Sequence, residues 1–410
     1  MTESPRRPRI LIVTRNLPPL VGGMERLNWH MAEELAKVAE VRVVGPHGSA
    51  VLAPRGVVVR EAPLKPLWRF LWRARLLARR EARVWKPDLV LAGSGLTTPL
   101  VRSAARTWGA KSAAYVHGLD IAASHPIYRA LWLPAIRGMD RVIANSHATA
   151  KLCRDVGVDP VRIGIVHPGV EPPPDSEPPR LPWRGEEEGT NPDAAATNDF
   201  RTRHYSGSRP LLLSVGRLSA RKGLREFVTQ ALPRIVEAQP NAMLLIVGDA
   251  PSQALHAEAQ TPASIQAAAD AAGVGRHLKF LGVITDYAEL GTVYRAADVH
   301  VFPVREIPGD PEGFGMVAVE AAAHGLPTVG FATGGVIDAV SERESGLLVR
   351  PGDYSAFANA VLESWALREA LRPGCIAFAQ RFAWPAFGEQ LAAQLHGFQP
   401  STVRAQTPPA

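Results

Sequence analysis

Short runs of aliphatic and β-branched residues alternate with helix-length stretches along nearly the whole chain, and this pattern limits the fold more than any other feature. In the first half the runs are ILIVT from Ile10, VRVVGP from Val41, GVVVREA from Gly56, LVLAGS from Leu89, SAAYVHG from Ser112, RVIANS from Arg141 and IGIVHPG from Ile163. They are apolar on both sides of the pleat, as parallel strands covered by helices on both faces require. The stretch between the first two, GMERLNWHMAEELAKV, has helical periodicity. Strand–helix alternation of this kind predicts a doubly wound α/β domain. The pattern stops over residues 171–208, which are rich in proline, acid and small polar residues, and restarts with PLLLSVG, AMLLIVGD, LKFLGVI, VHVFPV, PTVGFAT and GLLVRPGD. The expected organisation is a Rossmann-like domain over 8–170, a linker or disordered insertion over 171–208, a second Rossmann-like domain over 209–375, and closing helices over 376–398. Two such domains joined by a hinge leave a cleft between them, lined by the carboxyl ends of the strands.

Charge and cysteine content narrow the function classes. The formal net charge of +7 favours anionic partners. The two cysteines, Cys153 and Cys375, form neither a CxxC pair nor a metal-ligand spacing, and read as free core thiols of a reducing compartment. The N-terminal apolar run is too short for a signal peptide, and no stretch has the length of a spanning helix. A cytoplasmic protein is expected, free or peripheral on the inner face of the membrane.

The chemistry-bearing residues gather in the second half. In DPEGFGMVAVEAAAHGLP, Glu312 and Glu320 stand eight positions apart, with Gly313-Phe314-Gly315 between them. A helix is expected from about Met316 to His324, stopped by Gly325 and Pro327. The glycines at its entry bare backbone N–H groups that favour an anion. Glu320 falls among Val317, Val319 and alanines, where a carboxylate needs a partner. A surface pair with His324 at i,i+4 is the plainer explanation. GFGMVA also matches the dinucleotide-binding GxGxxA pattern, which requires a tight turn directly after a strand. Earlier, SVGRLSARKG ends a strand at Gly216 and offers Arg217 and Lys222, a pair of cations suited to a diphosphate.

Taken together, Arg217 and Lys222 followed by Glu312-x7-Glu320 resemble the retaining glycosyltransferases of family 4, which have the two-domain GT-B fold. The resemblance extends through PPLVGGMERL, VHGLD, ANSHAT, IVHPGVE, LIVGDAP, YRAADVHVFP and GLLVRPGD, in the order and spacing of that family. It implies that Glu320 binds the nucleotide ribose and Glu312 the donor sugar. Amides of Gly313, Phe314 and Gly315 would touch sugar and phosphate, and Gly216, Arg217 and Lys222 would hold the diphosphate. The Gly22–Gly23 turn would approach phosphates and acceptor, and His117 of YVHG would contact substrate. The donor implied is GDP-mannose or a UDP-sugar. No Asp-x-Asp motif is present, and the resemblance implies a reaction without a metal or other cofactor. Ala250, where many members have Gly, and Asp338, where Glu is commoner, depart from the pattern without removing an assigned residue. RFAWPAFGEQLAAQLHGF resembles the closing helices that pack back on the first domain. The rival readings are a nicotinamide-dependent oxidoreductase using GFGMVA and a non-catalytic membrane-surface scaffold.

Residues 64–86 bear on the acceptor. They hold eight Lys or Arg, one Glu and three Trp. Leu64, Leu67, Trp68, Leu71 and Trp72 form a helical stripe, with Arg69 and Arg73 off it. A basic amphipathic helix with tryptophan suits an anionic lipid surface and so a glycan or lipid-linked acceptor. The alternative is an ordinary surface helix with its tryptophans in the core. Nucleic acid is not expected, since no recognition motif accompanies the charge.

Overall fold

The computed structural model describes residues 6–172, 192–204, 210–250 and 260–395. It divides into two compact units, Met1–Gly169 with Trp384–Ala410, and Val170–Ala383.

In the first unit every expected run forms a strand: β1 Arg9–Val13, β2 Glu40–Pro46, β3 Val58–Ala62, β4 Leu89–Ala92, β5 Lys111–Val116, β6 Arg141–Ala144 and β7 Ile163–Ile165. They make one parallel sheet in the order β3-β2-β1-β4-β5-β6-β7. Leu11, Ile12, Val13, Val90 and Leu91 are fully buried, as strands covered on both faces must be. Only the edge strand β3 alternates exposed and half-buried residues. The order reverses between β1 and β4, so the loops after these two strands flank the crevice where open α/β sheets bind ligands.

In the helix Leu67–Trp85 the expected stripe of Leu67, Trp68, Leu71 and Trp72 lies exposed or half-buried, and a different face carries the packing. Its buried face is Phe70, Ala74, Ala78, Ala82 and Trp85, at near four-residue spacing. The alanines let it pack closely against the helix Thr98–Trp108 and the sheet, and Trp68 and Trp72 are left 69% and 59% exposed. Of the three tryptophans only Trp85 enters the core. Glu81, the one acid of the segment, is buried and accepts from Arg42 Nη1 at 2.7 Å and Arg60 Nε at 3.1 Å.

The second unit repeats the architecture with β8 Leu211–Val215, β9 Met243–Val247, β10 Leu278–Gly282, β11 Val299–Phe302, β12 Thr328–Phe331 and β13 Gly346–Val349. Its parallel sheet runs β10-β9-β8-β11-β12-β13, reversing between β8 and β11. The segment expected to be a linker or disordered contains a helix, Pro192–His204. It packs on the helix Tyr287–Ala296, Phe200 lies against Leu211, Val293 and Tyr294, and Arg201 Nη1 donates to Ala296 O at 2.6 Å. Its sequence, PDAAATNDFRTRH, has no apolar stripe that periodicity could reveal. Residues 173–191 and 205–208 of that segment lie outside the described residues.

The helix Arg368–Gln380 stays with the second unit, packing Leu371, Cys375 and Ala379 against the helix Met316–Ala323. The chain rejoins the first unit at Trp384. The helix Trp384–Leu395 packs on the helix Gly23–Val38, with the Trp384 ring stacked on His30 at 4.0 Å. Among the described residues no helix is long and apolar enough to cross a membrane.

Candidate active site

The residues assigned to phosphate and sugar come together where the second sheet reverses. Gly216 directly follows β8, its N–H bonded to Val247 O at 2.9 Å, and Arg217 beside it is exposed. The turn Ala220–Lys222 brings two more cations back over the end of β11. Lys222 Nζ donates to Glu312 Oε2 at 2.8 Å and lies 4.6 Å from the centre of the Phe302 ring. Arg221 Nη1 donates to Pro311 O at 2.8 Å and stands 3.5 Å from Glu312 Oε2, while its Nε is 3.5 Å from Asp310 Oδ1.

Burial pushes the Glu312 carboxyl up, but Lys222, Arg221 and then Arg217 outweigh it and hold the group below its ordinary range. Burial likewise lowers Lys222, opposed by Glu312 and reinforced by the two arginines. Lys222 and Glu312 are thus a buried pair, with Arg221 and Arg217 adding positive charge and Asp310 standing by as a second carboxylate. The cluster carries surplus positive charge, three cations beside two carboxylates, and so suits an anion.

The loop holding Glu312 is fixed from its other side. Gly335 N donates to Glu312 O at 2.9 Å. A Cβ on Gly335 would stand 2.5 Å from Phe314 Cα and would also strike Gly313 O, so the two backbones touch. Gly315 takes the left-handed conformation, φ 101°, as N-cap of the helix Met316–Ala323. Phe314 is buried against Ala318, Val319 and Val336.

Glu320 is half-buried on that helix, where the sequence pattern places it in full burial. Tyr294 Oη donates to its Oε2 at 3.3 Å. His324 contacts the backbone carbonyl of Glu320 through Nδ1 at 2.9 Å, so that hydrogen bond is not the side-chain pair of the plainer explanation. The dinucleotide reading fails on geometry. Strand β11 ends at Phe302 and the helix begins at Met316, so a long loop replaces the tight strand-to-glycine turn.

In the first unit the predicted residues cluster at the corresponding reversal. Gly22, the N-cap of the helix Gly23–Val38, and Gly23 are exposed in the loop after β1. His117 follows β5 and caps the short helix Gly118–Ala122. Asp120 Oδ2 accepts from the N–H groups of His117 and Gly95, both at 2.9 Å, tying the loops after β4 and β5 together. Burial keeps the His117 imidazole below its usual range, against the pull of Asp120 and Glu25, so the ring is neutral at neutral pH. Its Nδ1 is 3.4 Å from Asn145 Nδ2, and its Nε2 lies near the Gly93 backbone without a hydrogen bond of ordinary geometry. Ser94 Oγ, Asn145 Oδ1 and Asn28 Oδ1 are likewise buried without a hydrogen-bond partner. Buried polar atoms are rarely left so, and a group of them at a sheet reversal suits a hydroxyl-rich ligand.

Two family models match the chain: "Glycosyltransferase Family 4" over residues 21–172 and "Glycosyl transferases group 1" over residues 209–366. The chain belongs to glycosyltransferase family 4. Among its curated relatives is a GDP-mannose-dependent alpha-(1-6)-phosphatidylinositol monomannoside mannosyltransferase of Mycobacterium tuberculosis, 28% identical over 87% of this chain and 88% of that one. A D-inositol 3-phosphate glycosyltransferase of Segniliparus rotundus is 30% identical over 62% of this chain and 51% of its own. The chain thus spans about half the length of that relative. Solved structures share the fold. Anabaena HepE in complex with UDP has a TM-score of 0.72 at 20% identity, covering 95% of this chain and 100% of that one. Sucrose-phosphate synthase of Thermosynechococcus elongatus has 0.73 at 20%, covering 95% and 99%. The fold is therefore GT-B, two Rossmann-like domains with parallel sheets.

Within this family 4 chain, sequence reasoning brought Gly216, Arg217, Lys222 and Glu312–Gly315 to one place, with Glu320 on the helix that follows. It missed Arg221, whose only signal was its position beside Lys222 in ARKG. It also missed Tyr294, Asp120 and Asn145, which have no signal at short sequence range.

Proposed function

We propose that the protein is a retaining glycosyltransferase that moves a hexose from a nucleoside diphosphate sugar to a hydroxyl of a glycan or lipid-linked acceptor. The observation that carries this is the pair of cations Arg217 and Lys222 at the reversal of the second sheet, beside an Arg221 that is already engaged by Pro311 O, Asp310 and Glu312. A diphosphate is an anion that two such cations suit. As the sugar C1–O bond breaks, negative charge grows on the departing diphosphate, and preorganised cations lower that barrier most. They supply at the phosphates the charge that a divalent ion provides elsewhere, so no metal is assigned a role. Glu312 orients the sugar hydroxyls, and Glu320, steadied by Tyr294, accepts from the ribose diol. Neutral His117 and the unpartnered atoms of Ser94 and Asn145 bind hydroxyls of the sugar or acceptor. GDP-mannose is the first donor to test, on the relative's printed donor, and UDP-glucose the second, on the family frequency of UDP-sugars.

Binding to the native state raises its stability by RT ln(1 + [L]/Kd). GDP or UDP is expected to raise the unfolding temperature and NAD to leave it unchanged. In Glu320→Ala the nucleotide should bind roughly 10- to 100-fold more weakly, the loss of hydrogen bonds to a charged group. Stabilisation by NAD alone, or undiminished binding in the variant, would remove the ribose assignment.

The acceptor is proposed to be lipid-linked and reached from the cytoplasmic face of a membrane. Trp68, Trp72 and Leu76 are exposed on one helix together with Arg69, Arg73, Arg75, Arg80 and Arg83. Exposed tryptophan among arginines suits the headgroup region, where each cation adds about 1 kcal/mol on an anionic surface. The protein should sediment with vesicles containing phosphatidylglycerol and not with phosphatidylcholine alone. The Trp68→Ala/Trp72→Ala variant should lose most of that binding while keeping its nucleotide affinity. Equal binding by both proteins would exclude this face.

A further inference from the structure

We propose that Arg221 is a positioning residue that keeps Glu312 in place and in register once Lys222 turns to the diphosphate. The inference rests on the donor-site reading above and deepens it. In the ligand-free structure Lys222 is the nearest cation to Glu312, at 2.8 Å. Lys222 is also a cation assigned to the phosphates. An arriving diphosphate competes for its three N–H donors and loosens its hold on Glu312. Arg221 has no such conflict. Its guanidinium spans three successive residues of the donor loop: Nη1 donates to Pro311 O at 2.8 Å and faces Glu312 Oε2 at 3.5 Å, and Nε faces Asp310 Oδ1 at 3.5 Å. Its side chain is only 14% exposed. Its own backbone is pinned as well, since Arg305 N donates to Arg221 O at 2.8 Å and Arg305 Nη1 donates to Glu226 Oε1 at 2.8 Å. A planar fork fixed at both ends holds a loop in a way that a flexible ammonium does not.

The charged groups that act on Glu312 are Lys222, Arg221 and Arg217, with Asp310 beside them on its own loop; the Gly334–Gly335 turn on the far side brings only backbone. His300 on β11 is pushed down to about 3 by burial and then by Lys222, so it carries no charge at neutral pH. Removing Arg221 therefore shifts Glu312 upward, on the acid side, and Lys222 upward on the basic side, since the same guanidinium lowers both.

The test compares wild type, Arg221→Met and Arg221→Lys in the full chain. Arg221→Met should lower kcat/KM for the nucleotide sugar about 10- to 100-fold, the scale of a small misplacement at a reacting centre. Its affinity for bare GDP or UDP should stay within about twofold, since nothing in this role touches the phosphates. The acid limb of its pH–rate profile should move up, and Arg221→Lys should restore that limb. Deuterium uptake over 310–315 in the ligand-free protein should quicken in Arg221→Met. An equal loss of bare nucleotide and nucleotide sugar would make Arg221 a phosphate ligand and overturn the proposal. So would an unmoved acid limb. A wild type that binds no nucleotide would defeat the donor-site reading alone. Loop exchange would then decide Arg221 independently, and exchange unchanged by the substitution would overturn the role.

Discussion

Lys222→Met is expected to lower donor turnover by about 10²- to 10³-fold, the usual cost of removing one preorganised group that stabilises developing charge. Two effects add at this position. The leaving diphosphate loses a cation that is already desolvated and braced against the Phe302 ring. Glu312 loses its shortest ion pair, leaving Arg221 and Arg217 to hold its charge. Methionine keeps the length and the apolar packing of the stem, so the comparison isolates the charge. The measurement is release of nucleoside diphosphate from the preferred donor, with the unfolding temperature recorded in parallel. Turnover within a few-fold of wild type in a folded Lys222→Met protein would show that the phosphates lie elsewhere.

Gly335→Ala should be about as damaging without changing any charge. The added methyl would meet Phe314 Cα at 2.5 Å and the carbonyl of Gly313, both backbone. Neither can swing aside as a side chain could, so the donor-sugar loop must move. A displacement near 1 Å at such a site costs on the order of 10²-fold in rate. Gly352→Ala is the control. That residue has φ 82° with no atom within 4 Å of the added methyl, so only left-handed strain is introduced, about 1–2 kcal/mol. Gly335→Ala should therefore lose activity far beyond its loss of stability, whereas Gly352→Ala should lose stability alone. Parallel losses in the two variants would mean that the Gly335 contact is merely structural.

The strands were legible because parallel strands covered on both faces leave unbroken apolar runs, and the runs at Ile10 and Leu211 need no tertiary information. Arg217, Lys222 and Glu312 were legible as a constellation through their family spacing. Arg221 was not: a second cation beside Lys222 reads as solvated surface until the loop carrying Asp310 and Pro311 folds against it. Tyr294 reaches Glu320 from a different helix, so no local pattern announces the pair. The buried face of the helix 67–85 was not legible for a related reason. Its alanines at 74, 78 and 82 carry the buried face, because small residues allow close helix packing, while the conspicuous tryptophans 68 and 72 point outward. The helix Pro192–His204, PDAAATNDFRTRH, is polar along most of its length and leaves no apolar period in a proline-rich stretch.

The central claim is that the clustered cations of the second unit grip the diphosphate of an activated sugar. Calorimetric titration of the full chain with GDP-mannose and UDP-glucose, beside Lys222→Met, tests it most directly. The expected result is saturable one-to-one binding of one of the two donors, with affinity at least about tenfold weaker in the variant, as the loss of a charge-assisted hydrogen bond implies. Binding of neither donor, or equal binding by wild type and Lys222→Met, would contradict it.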